Sequence, residues 1–116
     1  MQRAITPLII SVREARDLPA VNSVDGTHAF VVLECGGVRH QTDVVSSTTP
    51  IWDHMCTMRA VFSVGVREEL LLQLWHEGTF EDVKLGTASI DLTEVLHEHV
   101  TFDDWVVLHE ESNLKG

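Results

Sequence analysis

Positive charge is what this sequence has least of. Eight Lys and Arg stand against 18 Asp and Glu, giving a formal net charge of −10 and a pI near 4.9. So acidic a chain opposes a sequence-independent hold on nucleic acid and gains nothing from anionic lipid. Nucleic acid is therefore excluded as a partner, membrane binding is expected to be weak or absent, and partners are expected to be neutral, basic or cationic. Cysteine is scarce as well. Cys35 and Cys56 both fall in apolar, strand-like runs, are too few for a secreted disulfide framework, and are expected as buried free thiols. Long hydrophobic runs are missing: near the N-terminus only Leu8 to Ile10 is continuously apolar, too short for a signal core or a membrane span. These absences predict a cytoplasmic chain, whose association with membrane or cytoskeleton would come through a larger protein. There is no repeat, low-complexity tract or internal linker, and 116 residues suit one hydrophobic core.

What the sequence does contain is strands. LIISVREA (Leu8 to Ala15), HAFVVLEC (His28 to Cys35) and ELLLQLW (Glu69 to Trp75) are short apolar runs bounded by turn chemistry. Gly36-Gly37, between HAFVVLEC and VRHQTDVV, supplies the positive φ angles of a two-residue hairpin turn. SSTTP (Ser46 to Pro50) is a turn cluster, IWDHMCTMRAVF a long strand, and KLGTASIDL another. TEVLHEHV (Thr93 to Val100) predicts a short helical turn with Thr93 as its cap. Trp52, Trp75 and Trp105 sit in strand patterns and are expected in the core or at its rim. About seven strands at regular spacing predict an all-β, antiparallel sandwich.

Five pieces in order carry a family resemblance over about Leu8 to Leu108. They are LIISVREARDLP, STTPIWDHMCTMRAVF, ELLLQLWHE, LGTASIDL and WVVL, and together they resemble a C2 domain. The resemblance implies an eight-stranded sandwich whose loops at one end bind calcium ions and phospholipid in many members and proteins in others. The whole chain, residues 1–116, is expected to be one such domain, the N-terminal module of a longer protein. One strand remains to be found. It must come from MQRAITP, from the tail HEESNLKG or from another molecule, and both local candidates are poor: Pro7 cannot donate to a ladder and the tail is polar. An unpaired sheet edge is thus expected where a partner peptide adds as a strand or two copies of the chain meet.

Calcium takes six to eight oxygen ligands, mostly carboxylate, at about 2.3–2.6 Å. Carried over position by position, the resemblance places Asn22, His28, His76, Gly78 and Val83 where the family's aspartates stand. Asp25, Glu77, Glu81 and Asp82 lie nearby, but alternation along a strand aims neighbours to opposite faces. The candidate loop-end binding surface is therefore Asn22, Asp25, His28, His76, Glu77, Phe80, Glu81 and Asp82, with no metal and no cofactor expected. His28 and His76, with Asn22 or a carboxylate, offer the alternative of a zinc site, although two histidines alone do not make one. Phe80 is either a protein contact or a side chain folded over its loop base. The strand that is lysine-rich in lipid-binding relatives offers only Arg39 and His40. His54 and Cys56 share a strand face, yet no oxyanion hole or orienting carboxylate accompanies them, and no catalytic residue is expected. The sequence predicts a calcium-independent C2-like protein-interaction or scaffold module. The alternative is a weak or atypical calcium-dependent phospholipid-binding domain.

Overall fold

Apolar and polar residues alternate along Ile51–Val61, and that alternation decides which side of the strand turns inward. Trp52, His54, Cys56, Met58 and Ala60 face the core, whereas Ile51, Met55 and Arg59 are exposed. The computed structural model describes residues 5–18, 26–62 and 65–110. Among them are the strands β1 (Ile5–Glu14), β2 (His28–Cys35), β3 (Val38–Gln41), β4 (Val45–Ser46), β5 (Ile51–Val61), β6 (Glu69–His76), β7 (Val83–Asp91) and β8 (His109–Glu110), and a short helix α1 (Thr93–His97). No helix among the described residues is long and apolar enough to cross a membrane.

The strands form two layers, as expected for an antiparallel β-sandwich. One layer pairs β1 with β5, setting Leu8 opposite Met58, Ile10 opposite Cys56 and Val12 opposite His54. The other has the order β3-β2-β6-β7-β8, with β4 also pairing β2. Leu8, Met58 and Ala60 from the first layer meet Ala29, Val31, Leu33, Leu70, Leu74 and Leu85 from the second in one buried cluster. Each large aliphatic side chain buried there contributes about 1.5–3 kcal/mol. The Trp52 indole N–H crosses between the layers to donate to the Ala29 carbonyl at 3.2 Å.

Several expectations are corrected by the structure. The run VRHQTDVV is two strands. It breaks at Thr42, which is buried and whose hydroxyl oxygen accepts the Val31 N–H at 2.9 Å, so a side chain takes the place of a ladder acceptor. WVVL (Trp105 to Leu108) is not a strand; the last strand begins one residue later, at His109. Trp105 is exposed and stacks under the Arg16 guanidinium, 4.3 Å from the ring centroid, instead of entering the core. The tail does supply an edge strand, because backbone pairing of His109 and Glu110 with Thr87 and Gly86 needs no apolar side chain. Residues 5–7 extend β1, with Pro7 opposite Arg59. Thr93 does not cap α1: Leu92 occupies the cap position, and the Thr93 hydroxyl and N–H both donate to Asp91 Oδ1, at 2.6 and 2.9 Å. Cys35 is buried as expected, but Cys56 is only half-buried; both thiols are free.

Candidate functional site

The ends of β2 and β6 bring the two loop-mouth histidines together. Ala29 lies opposite His76 in the β2–β6 ladder, so His28 stands one residue beyond the last pair. There an imidazole continues the ladder: the His28 N–H donates to His76 Nδ1 at 3.0 Å, and the Glu77 N–H donates to the His28 carbonyl at 2.8 Å. The rings lie 5.6 Å apart, tilted by 41°. His28 Nδ1 is 2.7 Å from Ser46 Oγ, across the β2–β4 pair that sets those two residues opposite each other.

His76 is buried, 5% exposed. Burial pushes its pKa below the ordinary imidazole value, and charge on His28 pushes the same way, while Asp82 and Glu77 oppose both. Because Nδ1 accepts a backbone N–H, the neutral ring carries its proton on Nε2. Neither nitrogen of that tautomer offers a metal a free lone pair.

The loop beyond is closed on itself. Asp82 Oδ1 accepts the Gly78 N–H at 3.4 Å, and a Cβ at position 78 would collide with the Glu81 carbonyl oxygen. No aspartate fits there without moving that carbonyl. Val83 is half-buried and packs against the core cluster. Glu77, Glu81 and Asp82 are exposed, and no group of three or more His, Cys, Asp or Glu able to hold a metal ion occurs among the described residues. Phe80 is 99% exposed, so its ring is not folded over the loop base. Asn22 and Asp25 lie outside the described residues.

The structure therefore unites His28 with His76, sets Glu77 and Asp82 near enough for their charges to act on His76, and leaves Phe80 and Glu81 exposed to solvent. Ser46 belongs to the pair yet has no individual signal in the sequence, where SSTTP marks only a turn; its role follows from the β2–β4 register. On β5, His54 Nε2 is buried without a hydrogen-bond partner, and burial pushes the Cys56 thiol above its usual pKa, opposite to the shift an activated nucleophile needs.

A C2 domain family model matches residues 7–108. The chain belongs to the C2 domain family. This C2 domain is 33% identical to Synaptotagmin-4 of Arabidopsis thaliana over 87% of its length and 29% identical to Synaptotagmin-5 of the same plant over 89%. It spans 18% of each of those proteins. Among solved structures it resembles the paired C2 domains, A and B, of Extended-Synaptotagmin 2, with TM-score 0.79, 25% identity, and coverage of 97% of this chain and 40% of that one. The calcium-bound form of the same pair matches with the same TM-score at 26% identity, covering 91% of this chain and 41% of that one.

Proposed function

We propose that this C2 domain is a protein-interaction module that works without calcium, as one part of a longer, membrane- or cytoskeleton-associated protein. The observation that carries the reading is His76. At a position where the family resemblance puts a carboxylate ligand, this chain buries a neutral imidazole and uses its one lone pair to hold the backbone of β2. The residues described do not fit a calcium shell. Calcium needs six to eight hard oxygens converging on one point, whereas His28 and His76 present ring nitrogens, Gly78 has no room for a side chain and Val83 faces the core. The length of the related plant proteins, of which this chain spans 18%, supports a part played within a larger polypeptide.

Calorimetry and thermal unfolding in calcium test this. A ligand that binds only the folded state raises stability by RT ln(1 + [L]/Kd), about 2.7 kcal/mol at a hundredfold excess over Kd. No heat of binding at micromolar calcium and no shift of the melting temperature in millimolar calcium are expected. Micromolar binding that disappeared in Glu81→Ala or Asp82→Ala would instead make this a calcium-dependent domain with an unusual ligand set.

A further inference from the structure

The end of the sandwich opposite the His28–His76 mouth carries an open cavity of about 280 Å³, bounded by the last residues of β2, the Gly36-Gly37 turn, the end of β5 and the start of β6. Much of its wall is apolar. Val61, Phe62, Val66 and Leu71 line it, and Val66 and Leu71 are 58% and 40% exposed, so apolar side chains face solvent at its opening. Two carboxylates share this lining. Glu34 lies opposite Leu71 in the β2–β6 ladder and Glu69 stands two residues before Leu71 on β6, so both project from one face of the sheet beside the same apolar side chain. Residues related in this way lie about 7–8 Å apart, close enough for like charges to repel.

Charge selects the occupant. Glu34 and Glu69 are half-buried, and among the described residues neither is in an ion pair. Arg39 stands opposite Glu34 in the β2–β3 hairpin but is exposed, and the exposed Arg67 at the cavity rim acts on Asp91, whose carboxyl is held below its usual range by hydrogen bonds from Thr93 and in smaller part by the Arg67 charge. A metal ion does not fit, because two carboxylates among apolar walls fall far short of six to eight oxygens. A second copy, itself at −10, would bring like charge. A basic side chain has both parts the cavity asks for: an aliphatic stem that covers apolar surface and a charged head that bridges carboxylates.

We propose that this cavity receives an arginine or lysine side chain of a partner protein, its stem against Leu71 and Val66 and its charged head between Glu34 and Glu69. This rests on the interaction-module reading above and names the surface through which it acts. The cation removes the repulsion between the two carboxylates, the apolar wall excludes water from the contact, and the strongly acidic chain draws a basic partner toward it.

The probe is a capped synthetic peptide, serine-leucine-arginine-leucine-serine, titrated into the whole chain while amide and methyl resonances are followed residue by residue. Shifts are expected at Glu34, the Gly36-Gly37 turn, Val66, Glu69 and Leu71, and not at His28 or His76. A twin with neutral citrulline in place of arginine is expected to bind at least about tenfold more weakly. Glu34→Gln with Glu69→Gln should lose at least about tenfold in affinity for the arginine peptide with the fold intact by its spectrum, whereas Glu98→Gln should lose nothing. The proposal is overturned if the citrulline peptide or the double variant binds equally well, if millimolar peptide shifts nothing, or if the shifts gather elsewhere. It is overturned as well if Arg39, Arg67 or another side chain of the free chain gives Overhauser contacts that place it in the cavity, or if spermidine binds as tightly as the peptide, which would make this a site for free polyamines. Calcium binding in the separate calorimetric test would remove the calcium-independent reading while leaving the peptide result as it stands.

Discussion

His76 concentrates the behaviour of the loop mouth in one side chain. Its Nδ1 accepts the His28 N–H, so protonation there would set two donors against each other and bury a charge. The folded-state pKa accordingly lies below the ordinary value of about 6.5. In the unfolded chain the same ring takes up a proton more readily, so its contribution to stability is complete above about pH 6.5 and is lost as pH falls through the depressed folded pKa. Urea unfolding at pH 8 and at pH 5.5 reads this directly. His76→Leu is expected to lose about 1–3 kcal/mol at pH 8, since the His28 N–H is left buried without an acceptor. His76→Asn, with an acceptor oxygen near the position of Nδ1 and no titration, should lose less and flatten the acid slope. An unchanged slope in His76→Asn would show that another group controls the acid response. The sequence identifies position 76 as occupied by a histidine, but which ring nitrogen points at which backbone N–H depends on how β2 and β6 end, and that is a property of the register.

Turn chemistry makes the β2–β3 hairpin the element most legible in advance. Gly36 and Gly37 adopt φ of 52° and 80°, the left-handed values that the Gly-Gly pair suggests. Their environments differ, however. A Cβ at Gly36 would lie 2.6 Å from the Val61 backbone nitrogen, whereas one at Gly37 would meet nothing within 4 Å. Gly37→Ala is therefore expected to cost about 1 kcal/mol of backbone strain, and Gly36→Ala appreciably more because β5 must also move. Equal losses in chemical denaturation would mean that the end of β5 yields freely. The long apolar strands are equally readable, because a period of two is a direct imprint of a half-buried sheet. Less legible are the two-residue strands. β4 and β8 are too short to show a period of two, and the buried Thr42 that separates β3 from β4 looks like any polar loop residue in the sequence. WVVL fails in the opposite way: its composition is that of a strand, but no ladder neighbour lies beside it among the described residues, and backbone pairing takes precedence over propensity.

For the whole molecule, net charge weighs against lipid binding through the other face of the sandwich. Capture by an anionic surface takes a cluster of about 4–8 Lys or Arg, each contributing about 1 kcal/mol when close to the surface. β3 offers only Arg39 and His40, and the Lys84 ammonium lies 5.5 Å from the Trp75 ring centroid. At physiological ionic strength the Debye length is about 8 Å, so distant carboxylates are screened and a local basic face, if strong enough, would still act. Lowering the salt brings the full charge of −10 into play. The chain is therefore expected to stay in the supernatant with phosphatidylserine vesicles at about 0.15 M salt, and to remain there as salt is removed. Co-sedimentation that grows as salt falls would reveal a basic face stronger than Arg39, His40 and Lys84 provide. Co-sedimentation indifferent to salt, equal on zwitterionic vesicles and abolished by Phe80→Asp, would instead assign membrane contact to the fully exposed ring at the loop tip, since burial of apolar area is the one attraction that neither salt nor lipid charge alters.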